Sequence, residues 1–158
     1  MMRLHLRSAV RGLIVDPKQR ILLVRFHFPR GVVWALPGGG VNPGETFAQA
    51  LNRELAEETG LAPVSIEGPV WYRTHYFDDM VRFSGQRDRV FLVRVESTDL
   101  NPGMDKATLA AEHITDMAWW TLDELDATRE TTAPKALTHF ARHIIEMGPP
   151  AIPFETGP

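Results

Sequence analysis

A glycine-led, glutamate-rich stretch, residues 39–61, constrains the fold of this 158-residue chain more than any other part of its sequence. It reads Gly39-x5-Glu45-x7-Arg53-Glu54-Leu55-x-Glu57-Glu58-x-Gly60-Leu61. The glycines at its start predict a loop, because glycine lets the backbone adopt unusual conformations and approach a ligand closely. Thr46 followed by Gln49 fits a capping box, and Gly60 fits the position just past a helix end. The stretch therefore predicts a helix over about residues 47–59.

The predicted helix carries two neighbouring groups of side chains when its residues are placed at about 100° intervals. The apolar stripe consists of Ala48, Leu51 and Leu55. The acidic group beside it consists of Glu54, Glu57 and Glu58. Like charges at this spacing destabilise a bare helix, whereas Mg²⁺ among the carboxylate oxygens would stabilise the group. A solvated acidic face is the alternative for such glutamates alone, but the complete spacing of residues 39–61 favours a metal site.

The spacing of residues 39–61 resembles the Nudix box, the motif of the Nudix hydrolases, at every fixed position. The lead-in Trp-Ala-Leu-Pro-Gly-Gly-Gly of residues 34–40 also resembles that family. Further on, Glu112 and the segment 119–125 are similar to the family's later strand and short helix. The resemblance therefore spans most of the chain. It implies an α/β (α+β) fold, namely a Nudix-like α/β/α sandwich with a mixed β-sheet and the Nudix loop-helix-loop.

The resemblance also assigns roles to individual residues. Glu54, Glu57 and Glu58 would bind the metal, Mg²⁺ or Mn²⁺, and take part in catalysis. Glu45 and Arg53 would support and orient these glutamates. The loop would be shaped by Gly38, Gly39 and Gly40.

Hydrophobic patterning along the rest of the chain predicts strands and helices in alternation. Strands are expected over residues 4–15, from 21, over 64–75 with an interruption at Gly68, over 89–96 and over 113–120. Loops are expected over 26–31, 76–87 and 99–108, and helices after Thr121 and from Pro134. The aromatic residues Phe26 and Phe28 could stack on a base or cover the core. We expect one Nudix domain over residues 1–148, followed by a tail, 149–158, that is disordered or lies over the surface.

Composition narrows the classes of partner. The net charge of −3 argues against a broad nucleic-acid-binding surface, so no nucleic-acid partner is expected. The absence of cysteine excludes disulfides and fits a cytoplasmic protein. No apolar run approaches the length of a membrane span, and no membrane partner is expected. A homodimer is possible, because homodimers are common among similar proteins.

The predicted function is divalent-metal-dependent hydrolysis of a phosphoanhydride (pyrophosphate) bond in a nucleoside diphosphate linked to another moiety. A carboxylate-bound metal beside a glycine loop suits this reaction, because it neutralises phosphate charge and activates water. The alternative is a catalytically silent, Nudix-like nucleotide-binding or regulatory module. An isomerase of the same fold is disfavoured, because the chain has no cysteine for acid chemistry.

Two residues outside the box are further candidates. Glu112 follows a predicted loop, and in similar proteins a glutamate in this region completes metal binding or acts as the general base. His113 is the competing base, but strand alternation would turn the two side chains to opposite sides. Tyr76 lies where some Nudix subgroups that act on dinucleoside polyphosphates carry a tyrosine, although a structural strand tyrosine is the alternative. The lack of a proline there disfavours the ADP-ribose subgroup.

Overall fold

A ten-residue parallel pairing between two segments far apart in the chain forms the centre of the sheet. The computed structural model describes residues 5–77 and 82–158. The strands are β1 Leu6–Val15, β2 Ile21–Phe28, β3 Gly31–Ala35, β4 Gly38–Gly40, β5 Ser65–Tyr76, β6 Gly85–Arg94, β7 Ile114–Trp120, β8 Thr132–Ala133 and β9 Phe154–Glu155. The helices are α1 Phe47–Glu58, α2 Lys106–Ala111, α3 Leu122–Ala127 and α4 Leu137–Met147. The central pairing joins β1 to β6.

The sheet is mixed, with strand order β8-β3-β2-β1-β6-β5-β9. Two further strands pair off this path, β4 with β1 and β7 with β2, both antiparallel. The pairs β1–β6, β3–β8 and β5–β9 are parallel. The predicted hairpin of β1 and β2 is present, since the two strands pair antiparallel where Val15 faces Ile21.

Helices cover both faces of the sheet, because side chains of a strand alternate between the faces. On one face, Leu13 and Val15 of β1 pack with α3 and α4. On the other, Val10 and Ile14 of β1 pack with α1. The predicted α/β/α sandwich with a mixed sheet is therefore confirmed.

Helix α1 begins and ends where the sequence predicts. Thr46 caps it through the reciprocal capping box with Gln49, and Gly60 adopts a φ of 74° after its end. The predicted apolar stripe is wrong at one position, because Ala48 is exposed and Ala50 is buried instead. The first turn of α1 projects into solvent, so the buried side of the helix starts only at its second turn.

Two predicted loops are wrong. Residues 26–31 are not a loop, because β2 continues to Phe28, which pairs with Gly31 at the start of β3. The predicted loop over residues 99–108 is wrong at its end, because α2 begins at Lys106. The first turn of α2 is capped when the Asp105 carboxylate accepts the N–H of Thr108. Of the third predicted loop, 76–87, residues 78–81 lie outside the described chain, and β6 already begins at Gly85.

The chain end is part of the sheet. Residues Phe154–Glu155 form β9, which pairs with β5, and the Phe154 ring packs on Trp71 and Phe140. The expectation of a disordered tail is therefore wrong for these residues, which lie at the edge of the sheet with the Phe154 ring half-buried. The domain boundary at residue 148 stays a prediction. Across the described ranges, no helix is both long and apolar enough to cross a membrane.

Candidate active site

Strand β4 brings the glycines of the motif against the glutamates of α1. It pairs with β1, with Gly39 opposite Val10 and Gly38 opposite Arg11. A Cβ atom at Gly39 would lie 2.7 Å from the carboxylate atoms of Glu54. Any larger side chain at this position would displace that carboxylate, so the glycine keeps the helix and the strand in close contact.

Two carboxylates of the motif are buried. Glu58 is 1% exposed and accepts a hydrogen bond from the backbone N–H of Gly38 at 3.1 Å. Burial raises the pKa of the Glu58 carboxyl to about 8, although the Arg11 charge and the Gly38 N–H favour the ionised form. Burial also raises the pKa of Glu54, which is 8% exposed, and Arg53 opposes that shift. Burial therefore outweighs the nearby positive charges at both carboxylates and makes them harder to ionise than an exposed glutamate.

Arg53 contacts four groups of the motif. It makes a two-pronged ion pair with Glu45, with both N–O distances at 2.8 Å. Its Nη1 donates to Glu54 at 2.8 Å and to Glu57 at 3.4 Å, and its Nη2 donates to the carbonyl of Gly40 at 2.9 Å. The hydrogen bond from Arg53 is the main reason that the pKa of Glu45 falls to about 2. These are the contacts that an orienting role requires, and the role itself stays a prediction.

The chemistry of this donor set fits a hard divalent cation. Glu54, Glu57 and Glu58 offer carboxylate oxygens, which Mg²⁺ prefers, and two of them are desolvated. In residues 5–77 and 82–158, however, no group of three or more His, Asp or Glu side chains is arranged so that it could hold a metal ion. The Arg53 guanidinium contacts both Glu54 and Glu57, and Glu58 faces Gly38. The donors are therefore paired with protein cations and N–H groups in this conformation.

Glu112 lies near the buried glutamates. It is exposed, it ends α2, and its negative charge is one of the causes that raise the pKa of Glu54 and of Glu58. The strand alternation that was expected to separate it from His113 is wrong, because β7 starts only at Ile114. His113 has a φ of 66°, so a change of backbone direction lies between α2 and β7. The role of Glu112 stays a prediction.

A cavity of about 240 Å³ is lined by residues of β1, β2, β3, β5 and β6. Its walls include Phe26 and Phe28, whose rings are parallel to within 2° at a centroid distance of 5.6 Å. Phe26 belongs to the core, as the second interpretation of these aromatic residues expects, and stacking on a base stays a prediction. Arg11 joins the cavity to the motif, because its Nη1 donates to the carbonyl of Gly38 at 3.0 Å. Tyr76 is not among the lining residues, and its side chain is exposed.

The polar side of the cavity was missed by sequence reasoning. It is formed by Arg11, Arg73, His75 and Asp88 from β1, β5 and β6. The signal was partly visible, since residues 71, 73 and 75 alternate along a predicted strand and share one of its faces. Strand pairing decides which residues of β1 and β6 lie beside them, and this pairing cannot be read from the sequence.

Solved structures of other proteins share this fold. The MutT protein of Methanosarcina mazei Go1 superimposes with a TM-score of 0.66 at 22% identity, over 92% of this chain and 97% of that one. The Nudix domain of Shewanella oneidensis NrtR, solved with ADP ribose, gives 0.67 at 21% identity, over 91% and 90%. A Nudix hydrolase from Nitrosomonas europaea gives 0.60 at 25% identity, over 91% and 93%.

The fold carries buried glutamates that face the glycine strand β4. The chain belongs to the Nudix family, because the model of the NUDIX domain matches residues 5–145. It is also 32% identical over 128 residues to an RNA pyrophosphohydrolase of Francisella tularensis subsp. mediasiatica, covering 70% of this chain and 79% of that protein. Nudix hydrolases generally require a divalent metal. No comparison supports a catalytically silent module.

Proposed function

We propose that this Nudix hydrolase cleaves, with Mg²⁺ or Mn²⁺, the pyrophosphate bond of a nucleoside diphosphate linked to another moiety. The observation that carries the proposal is the pair of buried carboxylates, Glu54 and Glu58, packed against β4. Arg11, which lines the cavity, is hydrogen-bonded to Gly38 of the same strand. Buried carboxylates are costly unless a positive partner accompanies them. A divalent cation is such a partner, and it is the one that phosphoanhydride chemistry uses.

The side chains of the site have different roles in the proposed reaction. Glu54, Glu57 and Glu58 would hold the cation, which supplies charge neutralisation of the phosphates and an acidified water when it is bound. Arg53 is hydrogen-bonded to Glu45, Glu54 and Glu57 and so fixes their relative positions. Glu112, which is exposed near the cluster, accepts the proton of the attacking water as general base.

The cavity holds the nucleoside part of the substrate. Its volume of about 240 Å³ is below the range of roughly 300–1,000 Å³ found for whole ligands. One base therefore fills it, while the phosphates extend past Arg11 towards Gly38, to which Arg11 is hydrogen-bonded. The protein acts in the cytoplasm on a small nucleotide, without a nucleic-acid partner, and a homodimer is its expected assembly.

A substrate panel tests this proposal. Purified protein is incubated with nucleotide sugars, dinucleoside polyphosphates, ADP-ribose, dNTPs and 5′-triphosphorylated RNA, each with Mg²⁺ and with EDTA, and the products are separated by chromatography. The RNA is included because the Francisella relative is named an RNA pyrophosphohydrolase. We expect Mg²⁺-dependent cleavage of a small nucleotide between two phosphates. Cleavage of the RNA alone would overturn the proposed substrate class, and no cleavage of any member would overturn the proposed function.

A further inference from the structure

The short connection between α2 and β7 has an unusual backbone. It consists of Glu112 and His113, and His113 has a φ of 66°. A residue with a side chain rarely adopts this left-handed conformation, because its Cβ atom crowds the backbone, although histidine adopts it more often than most residues. Such a conformation persists only where the surrounding structure enforces it, and it occurs most often at functional sites.

Hydrogen bonds on both sides hold the backbone of His113. Its N–H donates to the carbonyl of Ala110 in α2 at 3.0 Å. Its carbonyl accepts the N–H of His27 in β2 at 2.9 Å. The connection is therefore fixed between the end of α2 and the end of β2, and the direction in which Glu112 leaves α2 depends on both.

A β-bulge follows directly after the connection. Arg25 of β2 pairs with Asp116, but Phe26 pairs with Ile114, so Thr115 is the extra residue of β7. The Thr115 hydroxyl accepts a hydrogen bond from Nη1 of Arg25 at 2.9 Å, which holds the bulge against β2. Bulges beside active sites commonly change the direction of a side chain. Here the bulge lies three residues after Glu112.

The side chain of His113 packs on a wall of the cavity. Its ring centroid lies 5.1 Å from that of Phe28, whose ring is stacked on Phe26. Phe28 lines the cavity and is 39% exposed, so its ring is accessible to a ligand there. His113 is also exposed. The Phe28 ring is therefore in contact with the connection and open to the cavity at the same time.

The position of the Glu112 carboxylate depends on this backbone. Within residues 5–77 and 82–158, the carboxylate makes no hydrogen bond or ion pair. Its negative charge raises the pKa of Glu54 and of Glu58. Because like charges repel, a freely rotating Glu112 side chain would turn away from these two buried carboxylates.

We propose that Phe28 and His113 are positioning residues that couple occupation of the cavity to the position of Glu112. A nucleoside packed on Phe28 restricts the His113 ring, and the backbone of His113 passes this restriction to the preceding residue. Glu112 is then held towards the glutamates of α1 when the cavity is filled, so binding energy of the nucleoside contributes to kcat. This inference rests on the proposed function, which seats the nucleoside in the cavity and makes Glu112 the base.

Kinetics in two backgrounds test the coupling. His113→Asn keeps a residue that tolerates a positive φ but removes the ring. On the best panel substrate we expect it to lower kcat about 10- to 100-fold, within the cost of misplacing a catalytic group by about 1 Å, with KM little changed. In the Glu112→Gln background it should have little further effect, because it acts through Glu112. Parent-like kcat of His113→Asn, or an equal loss in both backgrounds, would overturn the inference.

Variants of Phe28 test the ring contact. Phe28→Leu should lower kcat as His113→Asn does, whereas Phe28→Tyr keeps the ring and should behave like the parent. His27→Asn is the matched control, since His27 is exposed and strand alternation turns its side chain away from that of Phe28. Equal kcat values of folded Phe28→Leu and Phe28→Tyr would contradict the contact.

Nuclear magnetic resonance tests the contact without catalysis. The imidazole signals of ¹³C-labelled histidine are followed while metal-free protein is titrated with AMP, GMP, CMP or UMP, or with inorganic phosphate. The His113 signal is assigned from its absence in His113→Asn. We expect at least one nucleotide to shift it, phosphate to leave it in place, and Phe28→Leu to abolish the shift. A His113 signal that no nucleotide moves at millimolar concentration, or a shift that persists in Phe28→Leu, would overturn the inference.

The two experiments separate this inference from the proposed function. If no panel substrate is cleaved while a nucleotide shifts the His113 signal through Phe28, the proposed function fails and the contact between cavity and connection stands. If substrates are cleaved and His113→Asn behaves like the parent, the inference fails and the proposed function stands.

Discussion

Arg53 contacts several glutamates of the motif, so a change of this residue should affect catalysis through their positions. Its fork binds Glu45 with two hydrogen bonds while Nη1 reaches Glu54 and Glu57. Lysine keeps the charge but cannot form the fork. We expect Arg53→Lys to lower kcat about 10- to 100-fold, the usual cost of losing a group that orients metal ligands. Steady-state kinetics at saturating Mg²⁺ measure this. Arg142 is a half-exposed, ion-paired arginine on α4, and Arg142→Lys should leave kcat unchanged. Equal behaviour of the two variants would contradict the orienting role.

Glu112 gives a second prediction at the scale of a residue. Its carboxylate is exposed and its charge reaches the buried glutamates, so it can meet a water molecule at the site. We expect Glu112→Gln to lower kcat about 100-fold or more, the scale of losing a general base, with a smaller effect on KM. Glu146→Gln, which removes an exposed carboxylate from α4, serves as the control. Parent-like kinetics of the Glu112 variant across pH 6 to 9 would assign the base to another residue.

The sequence reveals residues of this site only where their spacing is local. Glu54, Glu57 and Glu58 were identifiable because one helix fixes their relative positions. Arg73 and Asp88 were not, since they meet only through the pairing of β5 with β6. A residue that acts across strands leaves no spacing pattern in the chain.

At the scale of elements, contact between β4 and α1 depends on a glycine. A Cβ at Gly39 would meet the end of the Glu54 side chain, which can move, rather than backbone. We expect Gly39→Ala to displace that carboxylate, to lower kcat/KM at least about tenfold, and to change the urea midpoint of unfolding little. Wild-type activity in the folded variant would show that the close approach is unimportant.

At Gly60, just past the C-terminal end of α1, we expect a substitution to lower stability, whereas at Gly39 it should lower activity. It has a φ of 74°, and a Cβ there would lie 1.9 Å from the carbonyl oxygen of Asn101. We expect Gly60→Ala to reduce the free energy of unfolding by about 1–3 kcal/mol, the usual range for backbone strain. Urea denaturation followed by circular dichroism measures this loss. A midpoint equal to that of the parent would contradict it.

Elements with strong capping signals were the predictable ones. The capping boxes of α1 and α3 both appear in the sequence and in the structure. Helix α2 was missed because its six residues carry no apolar stripe, and none of them is buried. Strand β9 was missed because two residues form it, and its position is set by packing of Phe154 on Trp71 rather than by local propensity.

At the scale of the whole molecule, the parallel pairing of β1 with β6 joins the motif to the cavity. It puts Arg11 beside Asp88, while β4 holds Arg11 against Gly38. The resemblance implied the sandwich, but composition and periodicity alone do not specify a pairing between residues about eighty positions apart in the chain. The charged side of the cavity is therefore formed by strand pairing, which brings together residues that are far apart in the chain.

That charged side predicts a dependence of stability on pH. Burial and the Arg73 charge lower the pKa of His75 below its usual value of 6.5, while Asp88 opposes the shift. Between the lowered pKa and 6.5, the unfolded chain binds more protons at this group than the folded chain does. The contribution of His75 to the free energy of unfolding therefore rises with pH up to about 6.5 and is lost as pH falls below it. His75→Asn should show a shallower rise than the parent in denaturation series from pH 5 to 7, and identical slopes would contradict this.

The central claim is that the box glutamates make this fold a metal-dependent hydrolase. It is tested most directly by product release from the best panel substrate, with Mg²⁺ and with EDTA, for the parent protein and for Glu57→Gln. Glu57 is the most exposed of the three glutamates, so its substitution should leave the fold intact. Glu67→Gln, an exposed site on β5, is the matched control. We predict that EDTA abolishes activity and that Glu57→Gln lowers it about 100-fold or more, with Glu67→Gln unaffected. Full activity of folded Glu57→Gln protein, or activity that persists in EDTA, would contradict the claim.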